Sequence, residues 1–472
     1  MRSAIGLGLL GGAAAFSNDK VHVFSQKPLL ADSCPLDTSL HNGKCIPAIW
    51  GSTTTTPDDN LMPISANNTT STEYSHLAPL AHTLEESRAK ASAQEDFPWT
   101  FWPECFANEN TPEPYCIFSD QNFANGRGIA IITTAPLAYE MRSKAAFTHP
   151  STALSRTNNH ASPPFYQHDF PGKGRGLVAN KTLHPGDQLF ASTPILLSDP
   201  DLYQLSEPER LALLHRGVAT LPPTSQTLFW HLMGHIPTAD AIDDRVTTNN
   251  FEVTSVSDTT LNAVFPEIAM LNHDCRPNAA YFYDEESMTH FIHATRTITP
   301  GEELTITYTN NEALRADRIA ALRSNWGFTC DCSACTAHPH LTSESDARMV
   351  QIATLQDLLN DYTSDKALGP TTAPAAAELM LSLYRQERLD ANMGTAYQYA
   401  AEAYSSSGKK WEAVRYARLS VEMSMLDKGW ADKDVNGMRK MVAAPELSWS
   451  WRKRVGGGEK GEGGCTCGGK GH

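Results

Sequence analysis

Cys330, Cys332 and Cys335 stand two and three residues apart in CDCSAC. Thiolates this close in sequence converge on one point with little loss of chain entropy. Structural zinc takes four soft ligands in a tetrahedron, so three leave one corner to fill. Cys275, in MLNHDCRPNAAYFYD, is the remaining cysteine between Cys116 and Cys465 and the natural fourth ligand. Four free thiols, or a disulfide among neighbours, are the alternatives; bridges between near-neighbour cysteines are geometrically awkward, which favours the metal. A loop and a distant cluster tied at one point constrain everything folded between them.

The other six cysteines carry different meanings. Cys34 with Cys45 and Cys105 with Cys116 have equal spacing, and a Cys105–Cys116 clip suits an oxidising compartment. Cys465 and Cys467 lie in a glycine-rich tail with no further ligand nearby. At 472 residues, 41% hydrophobic and 19% charged, the chain has room for two or three domains. A formal net charge of -15 argues against nucleic-acid phosphates as the main partner and fits a basic peptide better.

Six segments follow from changes in composition. Residues 1–18, MRSAIGLGLLGGAAAFSN, read as a secretory signal peptide, with a plain N-terminal tail as the alternative; the apolar run is too short to span a membrane. Residues 19–95 are Ser/Thr/Pro/Asn-rich and expected to be mostly irregular. Residues 96–150, dense in aromatics, are expected to form a small module clipped by Cys105–Cys116. Residues 165–340 alternate apolar and polar positions in short strands, with KGRGLVANKTLHPGDQLFAS expected as two strands about a Gly-Asp turn. Helices interrupt them over 199–237, the first opened by a Ser206–Glu209 capping box. Residues 341–455 show helical spacing throughout, and the pair around SSSGKK predicts a tetratricopeptide-like (TPR-like) repeat or a plain bundle. Residues 456–472 form a flexible tail. The fold class is α+β: short strands with a helical insert and a zinc site, then an α-helical carboxyl domain.

Four motifs in order, GKGRGL at 172–177, NHDCRPN at 272–278, GEELTITY at 301–308 and CDCSAC at 330–335, resemble the SET-domain lysine methyltransferases. TNNFEV followed by FPEIAMLNHDCRPNA is most similar to the SET–MYND subfamily and its fungal relatives, and the resemblance covers about 165–455. It departs from that subfamily in one respect. Residues 178–274 contain no cysteine, so the MYND zinc finger, and any partner bound through it, does not carry over.

The resemblance implies methyl transfer from S-adenosylmethionine to a lysine side chain of a protein or peptide substrate, with post-SET zinc held by Cys275, Cys330, Cys332 and Cys335. It implies that Lys173, Gly174 and Arg175 contact the cofactor, with glycines allowing close backbone approach. Asn272 and His273 would hold its adenosine end, and Asn249 would add a contact. Trp326 and Phe328 would line the lysine channel or the cofactor's edge. Tyr308 takes the position of the catalytic tyrosine. Read singly, each is bland: Tyr308 ends an alternating strand, Lys173 and Arg175 suit a hairpin surface, and Trp326 and Phe328 suit a core. The ordered set supports an enzyme; the alternative is a catalytically silent scaffold that binds partners. Neither nucleic acid nor a membrane is an expected partner. Zinc thiolates and this cofactor point to cytoplasm or nucleus, against the secretory reading of residues 1–18.

Overall fold

The computed structural model describes residues 76–107, 113–236, 239–255 and 259–455, and the backbone of one further strand pair, Thr38–His41 with Lys44–Pro47. The signal-like segment 1–18, the tail 456–472 and the side chains of Cys34, Cys45, Cys465 and Cys467 lie outside the described residues.

A six-stranded sheet runs in the order Asn250–Thr254, Thr260–Val264, Leu196–Ser198, Ile129–Thr134, Tyr115–Asp120, Glu104–Phe106. Its middle strands are continuous apolar runs because both faces are covered. Phe118, Ile129 and Ile131 enter one core, while Ile117, Ala130 and Ile132 meet Leu213, Leu214 and Val218 of the helix Glu207–Thr220 on the other face. That helix is opened by the Ser206–Glu209 capping box.

Residues 96–150 are therefore not a free-standing module. Ile129–Thr134 pairs in parallel with Leu196–Ser198, so the segment extends the central sheet. The expectation rested on cysteine spacing and aromatic density, which are local signals, whereas pairing across the chain leaves no local mark. The Cys105–Cys116 disulfide is present and joins directly opposed residues of the edge hairpin. The described end of residues 19–95 holds a helix, Leu84–Ser92, started by a Thr83–Glu86 capping box.

The two strands expected around Gly186-Asp187 both form, but in different sheets. Gly174–Ala179 lies between Phe165–Phe170 and Glu303–Ile306, with Asn272–His273 on the far side of the latter. Gln188–Ser192 pairs instead with Thr289–Ala294, which pairs with Ala279–Asp284. The first of these sheets places three of the four motifs side by side.

Beyond the cysteine cluster the described residues form five α-helices: Pro339–Asn360, Thr372–Gln386, Met393–Ser406, Lys410–Asp427 and Lys433–Ala443. Alanines 377, 396, 400, 401, 413 and 417 are buried at their contacts, and small side chains let helices approach closely. At Gly394 the approach is so close that a Cβ would lie 2.3 Å from the Ser424 hydroxyl. Several contacts fasten this region to the strand-rich part, among them an aromatic cluster and a buried ion pair. Trp430 packs edge-on against Phe282 and Phe291, each with ring centroids 5.0 Å apart. Arg276 meets Glu387 at 2.7 Å, both side chains buried. Among the described residues no helix is long and apolar enough to cross a membrane.

Candidate active site

A cavity of about 750 Å³ opens between the motif-bearing sheet, the end of the helical insert and the loop before the cysteines. Lys173, Gly174, Arg175, Asn249, Asn272, His273, Tyr308, Trp326 and Phe328 all line it. They come from five separate stretches of the chain, and sheet pairing explains how they meet. Asn272 and His273 run parallel to Thr305 and Ile306, which puts them beside Gly174–Ala179 through the shared strand. Gly176 must be glycine here, because a Cβ would fall 2.5 Å from the Asn272 amide nitrogen. Gly174 has φ +79°, the left-handed region that favours glycine.

The polar residues of NHDCRPN each have a partner. The Asn272 amide donates to Glu303 Oε1 at 2.9 Å, and Lys173 lies 3.7 Å from the same carboxylate and 3.5 Å from Asp331. Asn278 clamps the strand of GEELTITY: its Oδ1 accepts from the Thr305 backbone N–H at 2.9 Å, and its amide donates to the Glu303 carbonyl at 2.8 Å. Arg276 turns away from the cavity toward Glu387, which also accepts from Ser345 and Arg348.

His273 is held at both ring nitrogens. Nδ1 accepts the Tyr308 backbone N–H at 2.9 Å, and Nε2 lies 3.3 Å from Cys275 Sγ. Burial holds the imidazole well below its ordinary range, at about 4, so the ring is neutral at physiological pH. The Tyr308 hydroxyl donates to the Leu271 carbonyl at 2.7 Å. Burial, with Glu303 and Tyr281 nearby, pushes that phenol above its usual range. It stays protonated and acts as a hydrogen-bonding group, not as an anionic base. Its ring lies 5.3 Å from Trp326. Gly327, left-handed at φ +73°, ends the helix Arg315–Trp326 and turns the chain, leaving Trp326 and Phe328 on the same cavity.

Arg175 and Asn249 line the cavity but are committed to its walls. The Arg175 guanidinium donates to the His231 carbonyl and, at 3.3 Å, to Met233 Sδ. The Asn249 amide donates to the Met233 and Arg245 carbonyls at 2.7 and 2.8 Å, which leaves its carbonyl oxygen as the group it can offer a ligand. The residues that sequence reasoning missed are Asp331, Phe251 and Tyr281 on the cavity wall, and Glu303, which holds Asn272 and faces Lys173. Glu303 and Asp331 sit inside quoted motifs and could have been found there. Phe251 and Tyr281, with rings 5.7 Å apart, look like ordinary strand aromatics until the sheets assemble.

Behind Tyr308, the sulfurs of Cys275, Cys330, Cys332 and Cys335 lie within 4.8 Å of one another, all four buried. Cys275 is 3.9 Å from Cys330 and 3.6 Å from Cys335. A tetrahedron with metal–sulfur bonds of about 2.3 Å has edges of about 3.8 Å, so the set fits a tetrathiolate metal site. Leu322, Tyr308, Trp326 and Phe328 pack around it.

A family model described as SET domain matches residues 174–309. The chain is 27% identical over 185 residues to the histone-lysine N-methyltransferase set5 of Schizosaccharomyces pombe, covering 39% of this chain and 54% of that protein. It is 39% identical over 74 residues to the N-lysine methyltransferase SMYD2-B of Danio rerio, covering 16% of this chain and 17% of that protein. With the human N-lysine methyltransferase SMYD2 it shares 34% over 96 residues, 20% of this chain and 21% of that one. The chain thus spans about half the length of the first relative and about a fifth of the other two. The family match runs from the glycine turn to the residue after Tyr308, the span whose strands build the cavity, and this chain therefore carries a SET domain at residues 174–309.

Proposed function

We propose that this protein transfers a methyl group from S-adenosylmethionine to the side-chain amine of a lysine in a protein substrate. The observation that carries this reading is the convergence on one cavity of the nine residues the resemblance implies, a protonated, oriented Tyr308 among them. Relatives named as lysine methyltransferases support it. The cavity volume falls in the range of pockets that enclose a small-molecule ligand.

In this reading Lys173, Asn272 and the His273 backbone hold the cofactor, with Asn249 accepting a hydrogen bond from it. The cofactor supplies an electrophilic methyl group. The protein's task is to bring a neutral amine to it in line, although a free lysine has a pKa of about 10.4. Phe251, Tyr281, Tyr308 and Trp326 form an apolar surround that disfavours the ammonium form. The Tyr308 hydroxyl, held at the Leu271 carbonyl, orients the amine; its contribution is one of proximity. Cys275, Cys330, Cys332 and Cys335 would hold zinc, and the packing of Trp326, Phe328 and Tyr308 against them would keep these rings in register. We also read the helical region as TPR-like, on the packing of Met393–Ser406 against Lys410–Asp427.

The test is transfer of labelled methyl from S-adenosylmethionine to a library of lysine-containing peptides. Wild type is expected to label a subset, and Tyr308→Phe to lose about 100-fold in kcat while cofactor affinity stays within a factor of two. Unchanged turnover in Tyr308→Phe would remove that residue from the mechanism. No labelling by a folded, zinc-loaded chain would favour the non-catalytic scaffold.

A further inference from the structure

We propose that His273 is a positioning residue that ties Tyr308 to the four-cysteine metal site through its two ring nitrogens. The inference rests on the proposed function, in which Tyr308 orients the amine and the cysteines hold zinc.

The geometry determines the tautomer. A backbone N–H can only donate, so Nδ1, at 2.9 Å from the Tyr308 nitrogen, must be the unprotonated acceptor. The single proton of the neutral ring then sits on Nε2, which lies 3.3 Å from Cys275 Sγ. A metal-bound thiolate accepts such a hydrogen bond well, and partners of this kind commonly orient and tune metal ligands. His273 is buried, its ring packed between Tyr308 at 5.4 Å and Phe328 at 6.2 Å, so it has little room to make other partnerships.

The consequence is a mechanical link. At one end Cys275 ties NHDCRPN to the carboxyl-terminal cluster. At the other, the Tyr308 backbone is held by His273 while its hydroxyl is held by Leu271, two residues before His273. The loop 271–275 therefore grips Tyr308 at two points and the metal site at a third. Through this segment the four-cysteine site is tied to the position of the tyrosine hydroxyl.

Two variants separate the halves of the tie. Asn at 273 keeps an acceptor near Nδ1 and lacks the donor toward Cys275. Gln keeps an N–H with the reach of Nε2 and lacks the acceptor. In the full-length zinc-loaded chain, His273→Asn is expected to weaken zinc retention against a chromophoric chelator by about ten-fold, with a loss of kcat, measured in excess zinc, smaller than that of His273→Gln. His273→Gln is expected to hold zinc like wild type and to lose about ten-fold in kcat with the cofactor KM nearly unchanged. Zinc retention and kcat moving together in both variants, or neither moving in either, would overturn the tie. Should both variants misfold, long-range ¹⁵N–¹H spectra of the wild-type chain decide. The Nε2-protonated tautomer of His273 is expected; an Nδ1-protonated ring would overturn the proposal. A wild-type chain that binds zinc but transfers no methyl counts against the activity alone, since zinc retention and the tautomer still read the tie.

Discussion

In the strand-rich half, the residues that meet are far apart in sequence; in the helical half they are mostly neighbours. Arg127 pairs with Glu267 across 140 residues, Asn278 clamps Thr305, and Cys275 meets Cys330 across 55. Helices 393–406, 410–427 and 433–443 instead pack against the elements before and after them. The difference teaches where chemistry can be built. Long-range pairing brings unlike side chains from several segments to one cavity, whereas consecutive helices repeat one kind of apolar contact. The helical half buttresses, and it touches the chemistry through the Arg276–Glu387 pair.

Breaking the strand half at its most constrained point should have the largest effect. Cys335→Ser is expected to abolish zinc retention and methyl transfer, because structural zinc contributes on the order of 10 kcal/mol to a folded site. Far-UV circular dichroism of the same variant should keep the helical signal. Loss of that signal would mean that the two halves stand or fall together.

The joint comes next. Glu387→Ala leaves the Arg276 guanidinium buried beside the Cys275 carbonyl without its carboxylate, and removing one partner of a buried pair costs about 3–5 kcal/mol. Urea unfolding should show that loss, and zinc should also leave more readily. A stability change under 1 kcal/mol would contradict the reading of this buried pair as a joint between the two regions.

The smallest effect has opposite signs in the two halves. Burial raises the carboxyls of Glu402 and Asp427 in the helices to about 7. Between the unfolded value of about 4 and that point, only the folded chain holds their protons, so their contribution to stability falls as pH rises. Burial depresses His290 to about 3 and His293 to about 4 in the strands. There the unfolded chain takes up protons first, so stability falls as pH drops below about 6.5. Glu402→Gln should raise the melting temperature at pH 8 by the equivalent of about 1 kcal/mol and have no effect at pH 4. Equal effects at both pH values would contradict the assignment.

The same contrast explains how much was legible in the sequence. The cysteine cluster, Asn272, His273 and Tyr308 could be read because each motif packs its chemistry into a few consecutive residues. The helices after residue 339 could be read because their periodicity is local. The sheet shared by residues 104–134 with 196–264 could not, nor could the helix Ala241–Asn249 or the aromatic wall of Phe251 and Tyr281. These depend on which strands pair, and alternation within a strand does not name its partner. Arg276 shows the limit most plainly: it sits inside the best-marked motif, yet its partner lies 111 residues away in another region.

The most direct test of the central claim is a calorimetric titration of S-adenosylmethionine into the zinc-loaded chain, run beside Asn272→Ala and Tyr308→Phe. The account predicts saturable binding at one site, lost in Asn272→Ala and retained in Tyr308→Phe. No binding by a folded chain with zinc in place would contradict it.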